Sequence, residues 1–433
     1  MEANLYHKFK GQDLNEDLDL EQQKQQISNF IKRSLLSKNL AIFIGSGCSV
    51  PEIPLMSKTM FKILEDDKIL NIVKKFLDGK KVDIFFKYLN DRRSWEDGEV
   101  ETEISSLLLN LKQVESSLIG DLKDKIDTKY TKYLDDFYSN FSDIESLLNW
   151  IQNGISYNPN DKDLIDAFDN IKSKFIATIP AQTSLKYTSG VFETYSTFYN
   201  HIFKSRSIES PKVSIFTTNY DLFNEKALEA NNIIYTTGFT SGLIPKFDIN
   251  QFKYRLVDDT DRYKDRWQPI SNEANLYKIH GSINWKTLSE GELYQVKDKP
   301  DEDEDNKTVV IYPTMLKHRE TAQAPYSELF REFANTLQRK STTLIVMGYG
   351  FPDEHINTII SQNLKNQDFT LIVFGDDTEN NMKKFHEEHE NTNIHLIGGN
   401  LSDGQKGHFF NVIVDEFLSY VPDVTQQGEV KDE

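Results

Sequence analysis

Seven short apolar runs constrain this chain more than any other feature. They are Leu40–Ile44, Val213–Phe216, Leu276–Ile279, Val309–Tyr312, Leu344–Met347, Leu371–Phe374 and Ile394–Ile397. A short continuous run of this kind is consistent with a parallel strand buried on both faces. Helical stretches at 222–230, 326–338, 354–364 and 379–389 separate several of them. Strands alternating with helices predict an α/β fold, a Rossmann-like parallel sheet with helices on both faces. The first strand is cut off from the rest by helical patterning. The expected organisation is therefore one α/β domain over 1–56 and 211–433, interrupted by a large helical insertion subdomain over 57–210.

Inside that insertion, Tyr133, Leu134, Phe137, Phe141, Ile144, Leu147, Leu148 and Ile151 recur at helical spacing, with Ser142 and Glu145 fitting a capping box. Val191, Phe192, Tyr195, Phe198, Tyr199 and Ile202 make a second stripe. Both read as core packing. The first 25 residues are polar and charged and read as a frayed arm or a peripheral helix, followed by helical spacing over 26–38.

Composition excludes several classes. At 433 residues the chain has room for two or three domains. Its 50 Lys and Arg against 68 Asp and Glu leave a net charge of −18, which argues against binding a nucleic-acid backbone. Cys48 is the single cysteine, so neither an intrachain disulfide nor a four-cysteine zinc site can form. The N-terminus shows no signal-peptide pattern, and no apolar run approaches the ~18–20 residues a bilayer span needs. A cytoplasmic protein is expected, with no direct nucleic-acid or membrane partner.

Four polar, glycine-bearing segments each close a strand. Gly45-Ser46-Gly47-Cys48-Ser49 follows the first, where glycines permit a sharp turn and amides could cradle a phosphate. The dinucleotide fingerprint G-x-G-x-x-G is not met, because Pro51 sits near its third position. Thr217-Thr218-Asn219-Tyr220-Asp221 ends another strand; one of its side chains could simply cap the next helix. His280-Gly281-Ser282 supplies an imidazole, which titrates near neutrality and suits a general base. Gly348-Tyr349-Gly350-Phe351-Pro352-Asp353 closes the fourth, with Asp353 equally readable as a helix cap. His386 and His389, with His395, read as a solvated face rather than a metal site.

The set, in this order, resembles the sirtuin-like family. The strand followed by Gly45–Ser49 is similar to its G-A-G-x-S phosphate loop, Thr217–Asp221 to its Q-N-x-D segment, His280-Gly281 to its catalytic His-Gly, and Gly348–Asp353 to its later nucleotide-binding turn. The variants resemble the divergent prokaryotic branch, and the likeness covers roughly 38–56 and 211–376. Ser46 stands where that family usually has Ala, and Thr218 where it has Gln. Without cysteines for a zinc ribbon, lysine deacylation is disfavoured.

The resemblance implies NAD as substrate, with no zinc or other metal. It implies Asn219 and His280 as catalytic residues, and Gly45, Ser46, Gly47, Ser49, Thr218, Asp221, Gly348, Tyr349 and Asp353 around the dinucleotide. The implied activity is an NAD hydrolase releasing nicotinamide and ADP-ribose, a gated effector that depletes NAD in bacterial antiphage defence. It further implies a homo-oligomer, and a HerA-type hexameric ATPase partner or another phage-triggered activator. Two other classes stand beside it: a module that senses NAD or ADP-ribose without turnover, and an NAD-dependent deacylase or ADP-ribosyltransferase.

Overall fold

The computed structural model describes residues 3–53, 63, 144–179, 189–207, 210–263, 266–287, 292–297, 308–310 and 325–419. Ser142, the first part of the Tyr133–Ile151 stripe, the acidic run at 301–305 and the tail after Val421 lie outside them. The chain divides into two compact units, one of Met1–Glu52, Ala181–Val309 and Ala324–Glu433, the other of Ile53–Pro180 and Val310–Gln323.

In chain order the elements are β1 (Asn4–Phe9), β2 (Gln12–Asp13), α1 (Leu20–Ser34), β3 (Asn39–Ile44), α2 (Ile144–Tyr157), α3 (Lys162–Ala177) and α4 (Gly190–Lys204). There follow β4 (Val213–Thr217), α5 (Phe223–Ala230), β5 (Ile234–Thr236), β6 (Val257–Tyr263), β7 (Arg266–Pro269), β8 (Glu273–Lys278), β9 (Gly281–Thr287), β10 (Leu293–Gln295) and β11 (Thr308–Val310). The last are α6 (Tyr326–Leu337), β12 (Thr342–Met347), α7 (Glu354–Asn363), β13 (Phe369–Phe374), α8 (Asn380–His389), β14 (Ile394–Asn400) and α9 (Phe410–Val412), which runs into a π turn at Ile413–Leu418.

The first unit is built on a nine-stranded sheet in the order β2-β1-β14-β13-β12-β3-β4-β8-β5. From β14 to β5 all neighbours are parallel. The chain starts at β3, steps outward through β4 to β8, then returns to the other side of β3 and steps outward through β12, β13 and β14. This is the doubly wound order, with β5 added beyond β8. Direction reverses between β3 and β12, where two loops leave the carboxyl ends of adjacent strands and diverge. Ligands of open α/β sheets bind in that crevice.

The strands are continuous apolar runs because both faces are covered. Phe43, Phe216, Tyr277, Phe333, Leu344 and Val346 belong to one buried cluster. Phe216 stacks on Tyr277 at 4.5 Å and meets Phe333 edge-on at 4.8 Å. Burying a side chain of that size contributes about 1.5–3 kcal/mol.

Several expectations are corrected here. The N-terminal segment is not a frayed arm, and it is helical only from Leu20: before that, β1 pairs antiparallel with β14, burying Leu5, Tyr6 and His7. Its polar composition suits a strand next to the sheet edge, covered on its outer side by only the two-residue β2, where the backbone rather than an apolar run supplies the pairing. α1 begins at Leu20, earlier than its apolar stripe, because Asp19 and Gln22 form a capping box. The Val309–Tyr312 run does not join the main sheet; Thr308–Val310 is a strand of a separate sheet ordered β10-β9-β11. His386 is buried rather than solvated, and burial lowers its pKa.

The second unit shows α2 and α3 packed through Leu148, Ile151, Leu164, Ala167 and Ile171. Gly154 permits the approach, since a Cβ there would lie 3.1 Å from Leu164 Cδ1. No described helix is long and apolar enough to cross a membrane.

Candidate active site

The two loops that leave the switch point touch backbone to backbone. Gly45 N donates to Met347 O at 2.9 Å, and Gly47 N donates to Gly348 O at 2.9 Å. A Cβ on Gly45 would sit 2.3 Å from Gly348 O, and one on Gly348 would sit 2.5 Å from Cys48 N. Gly348 also holds φ at +62°. The glycines are thus required by the neighbouring loop, a cause distinct from approach to a phosphate. Cys48 N donates to Gly45 O, so three of the five amides from Gly45 to Ser49 are committed to protein carbonyls. Ser46 is exposed at the tip of this turn.

Thr217 ends β4 and binds the strand beside it: its Oγ1 donates to Ile44 O at 2.8 Å and accepts from Asn219 N at 3.0 Å. Asn219 Nδ2 then donates to Gly45 O at 3.0 Å and to Ser49 Oγ at 3.1 Å. A carbonyl can only accept, so the first of these bonds fixes which way the amide points. Asn219 Oδ1 is left buried with no hydrogen-bond partner among the described residues. An orphaned acceptor of this kind costs about 1–3 kcal/mol and calls for an explanation.

A polar network holds this loop from below. Ser49 Oγ donates to Asp221 Oδ2 at 2.9 Å and lies 3.1 Å from Tyr195 OH. With its single proton spent on Asp221, Ser49 accepts from both Asn219 and Tyr195 and is saturated. Asp221 Oδ1 accepts from Phe223 N at 3.0 Å, at the start of α5. Burial pushes the Asp221 carboxyl up, opposed by Lys278. Lys278 is fully buried; its Nζ donates to Tyr220 O at 3.4 Å, to Asp221 O, and to Glu225 Oε1 at 2.9 Å. Burial likewise raises Glu225, again opposed by Lys278. Cys48 is buried and its thiol is pushed up, which removes it as a nucleophile.

His280 follows β8, whose register pairs Lys278 with Thr217. Ile279 N donates to Thr217 O at 3.0 Å and Ile283 N to Tyr220 O at 3.1 Å, so the loops after β4 and β8 are tied together. Gly281, with φ at +87°, turns the chain into β9. His280 Nε2 lies 3.3 Å from Asp353 Oδ2, and both side chains are buried. Asp353 also caps α7, its Oδ1 accepting from His355 N at 3.0 Å and Ile356 N at 3.3 Å.

The residues expected from the sequence fall into three groups. Gly45, Ser49, Asn219 and Asp221 share one hydrogen-bond network, while His280 and Asp353 form a pair. Gly47 and Gly348 pack the two loops together. Tyr349 belongs to the core: its ring packs on Phe43 at 4.8 Å, and its hydroxyl accepts from Asp353 N at 3.2 Å. Thr218 is half-buried. Among the described residues no group of three His, Cys, Asp or Glu side chains could hold a metal ion. Lys278 and Glu225 were not singled out by the sequence, Tyr195 was read there only as core packing, and Thr217 entered only as part of the segment Thr217–Asp221. A lysine inside the apolar run Leu276–Ile279 is the one signal that could have found the buried charge.

Residues 213–397 match the family model of the SIR2-like domain. The matched span opens on the first residue of β4 and ends within β14, taking in Asn219, Asp221, His280, Gly348 and Asp353; β3 and Gly45–Ser49 precede it. No curated protein matches the chain. A SIR2-like domain implies NAD-related activity.

Proposed function

We propose that the first unit binds NAD at the carboxyl ends of β3, β4, β8 and β12 and hydrolyses its nicotinamide–ribose bond. The observation that carries this reading is Asn219 Oδ1, a buried acceptor with no partner among the described residues, beside the switch point of a doubly wound sheet, while the Nδ2 of the same amide is tied down. It is held ready to accept from a water or a ribose hydroxyl.

The chemistry needs little else. The C1′–N bond breaks with its electrons moving to the pyridinium nitrogen, so nicotinamide leaves neutral and no acid is required. Water oxygen bonds C1′, and its proton passes to His280 and on to solvent. NAD and water give nicotinamide, ADP-ribose and a proton. A positioned base typically contributes about 10²–10⁴-fold. Gly45, Ser46, Gly47, Ser49 and Thr218 border the dinucleotide at the β3 and β4 ends, with Gly348 opposite them. Asp221 fixes the Asn219 loop from within. The effector role in antiphage defence, a homo-oligomer and a HerA-type ATPase or other activator rest on the resemblance of the four motifs alone.

The test is release of nicotinamide and ADP-ribose by the purified chain over a range of concentrations, with Asn219→Ala and His280→Ala alongside. The expected result is turnover by the wild type and a loss of at least about 100-fold in each variant, with circular dichroism unchanged. Wild-type-like turnover in either variant overturns the assignment.

A further inference from the structure

The N-terminal strand reaches further across the sheet than its pairing requires. Tyr6 sits opposite Gly398 of β14, and its side chain passes over that glycine to the end of β13. A Cβ on Gly398 would lie 2.4 Å from Tyr6 OH, so the crossing exists only because β14 carries no side chain there. The buried hydroxyl donates to Gly375 O at 2.7 Å and accepts from Asp377 N at 3.0 Å. Burial and the Asp377 carboxylate hold the phenol above its ordinary pKa, so it keeps the proton that the first bond needs. Lys8, two residues along the same face of β1, adds an ion pair to Asp377 Oδ2 at 2.5 Å.

The turn held in this way is 375–379, which leads from β13 into α8. Within it Asp376 Oδ1 accepts from Thr378 N at 3.0 Å, and Glu379 N donates to Asp376 O at 3.2 Å. Its far end abuts the loop after β12: a Cβ on Gly350 would lie 2.6 Å from Glu379 Oε1. Phe351 of that loop, with φ at +56°, packs on Phe385 of α8 at 4.3 Å. The same loop meets Gly45 and Gly47 across the switch point. A continuous path of contacts therefore runs from Tyr6 OH through Gly375–Glu379 to the Gly348–Phe351 wall of the crevice. A core tyrosine that merely satisfied its own hydroxyl would need one partner on no particular loop; this one bridges both sides of a turn.

From this geometry we infer that Tyr6 is a positioning residue for the dinucleotide: its hydroxyl sets the β12 wall of the crevice, and with it the affinity for NAD, without taking part in bond cleavage. The inference rests on the NAD reading of that crevice. Asn219 and His280 are carried by the loops after β4 and β8, on the other side of β3 from β12. Asp353, which lies beside His280, is anchored separately as the cap of α7. Losing the Tyr6 hydroxyl should therefore weaken binding and spare the chemical step.

Tyr6→Phe keeps the ring and the strand pairing and deletes only the hydroxyl. The experiment measures the Kd of ADP-ribose by calorimetry, kcat and KM for NAD, and amide hydrogen exchange, on wild type, Tyr6→Phe and Lys8→Met. The expected result for Tyr6→Phe is a Kd and a KM raised about three- to tenfold, the range for one lost hydrogen bond, with kcat changed less than about twofold. Exchange at the Asp377 amide should rise at least about tenfold. Lys8→Met removes only a half-buried ion pair and should leave both constants within about twofold. A lowered kcat at unchanged KM overturns the inference, and so does an unaltered Kd whatever the exchange shows, which would leave Tyr6 a structural contact. Equal effects of the two variants overturn it in favour of the charge. Should the wild type bind ADP-ribose but leave NAD uncleaved, the hydrolase reading fails alone, and the ratio of Kd values still decides the role of Tyr6. A wild type that binds neither NAD nor ADP-ribose overturns both.

Discussion

Two buried polar clusters strap loops to the same sheet by different means. At the β1–β14 edge, His7 Nε2 meets His395 Nδ1 at 3.0 Å. Phe30 packs on both rings, at 4.6 and 4.5 Å, and Phe9 stacks on His395 at 4.2 Å. Burial drives the pKa of His7 down to about 4 and that of His395 down to about 3, so near neutrality this clasp is two uncharged rings sharing one proton. Beneath Asn219 the strap is a lysine with two carboxylates, all buried. Charges cost far more than neutral rings to bury. The clasp shows that a loop can be held without that cost. It also leaves His7 Nδ1 unpaired among the described residues, so an orphaned atom does not mark a site by itself. At Asn219 it is the position, at the switch point and among loops locked by charge, that gives the orphan its meaning.

The comparison breaks first at Lys278. Lys278→Met removes three hydrogen bonds, leaving Glu225 and the carbonyls of Tyr220 and Asp221 without their cation. The expected cost is about 3–5 kcal/mol by denaturant unfolding, the range for breaking a buried pair from one side. Replacing both partners, Lys278→Met with Glu225→Leu, should recover most of the stability without recovering turnover. A single-variant loss below about 1 kcal/mol would mean that the charged strap holds nothing.

The clasp is sharpened by pH. Both histidines titrate below 6.5 in the folded protein, so the unfolded chain binds more protons between pH 6.5 and the folded values of about 4 and 3. Stability is then complete above pH 6.5 and falls on acidification through that window, by roughly 1.4 kcal/mol per pH unit for each proton taken up. Coupling between the rings makes the second proton harder to add. His7→Leu with His395→Leu should flatten this part of the unfolding profile relative to wild type. Parallel profiles would show that the clasp does not carry the linkage.

How much of this was legible follows from what each residue answers to. The strands β3, β4, β8, β12, β13 and β14 were readable because burial on both faces writes a continuous apolar run. β1 was not, because it lies next to the sheet edge and pairs through its backbone, and its residues 4–9, with Lys8 and His7 among them, carry no such pattern. Asn219 and His280 could be singled out because each lies in a polar, glycine-bearing or Asx-rich segment that closes an apolar run. What the sequence could not show at Gly45, Gly47 and Asp353 is that each also meets a residue some 70 to 300 positions away, which no local window contains. Tyr195 was correctly placed in a packed stripe, but a periodicity argument reads its ring and is blind to its hydroxyl.

That hydroxyl gives the smallest and most discriminating effect. Tyr195 is fully buried, stacked on Phe223 at 5.6 Å and edge-on to Phe410 at 4.9 Å. Burial and the nearby Asp221 hold its phenol well above its ordinary pKa, so it is a donor to Ser49 Oγ and never a phenolate in the working range. Tyr195→Phe keeps every ring contact and deletes one hydrogen bond, for an expected loss of about 0.5–1.5 kcal/mol. Ser49 would still be bound by Asp221 and Asn219, so NAD turnover should change less than severalfold. Ser49→Ala removes the atom on which Asn219, Asp221 and Tyr195 converge, and should cost turnover far more than it costs stability. If the two substitutions instead reduce turnover equally, the strap reaches the site through α4 rather than through Ser49, and the charged cluster loses the distinction drawn between it and the histidine clasp.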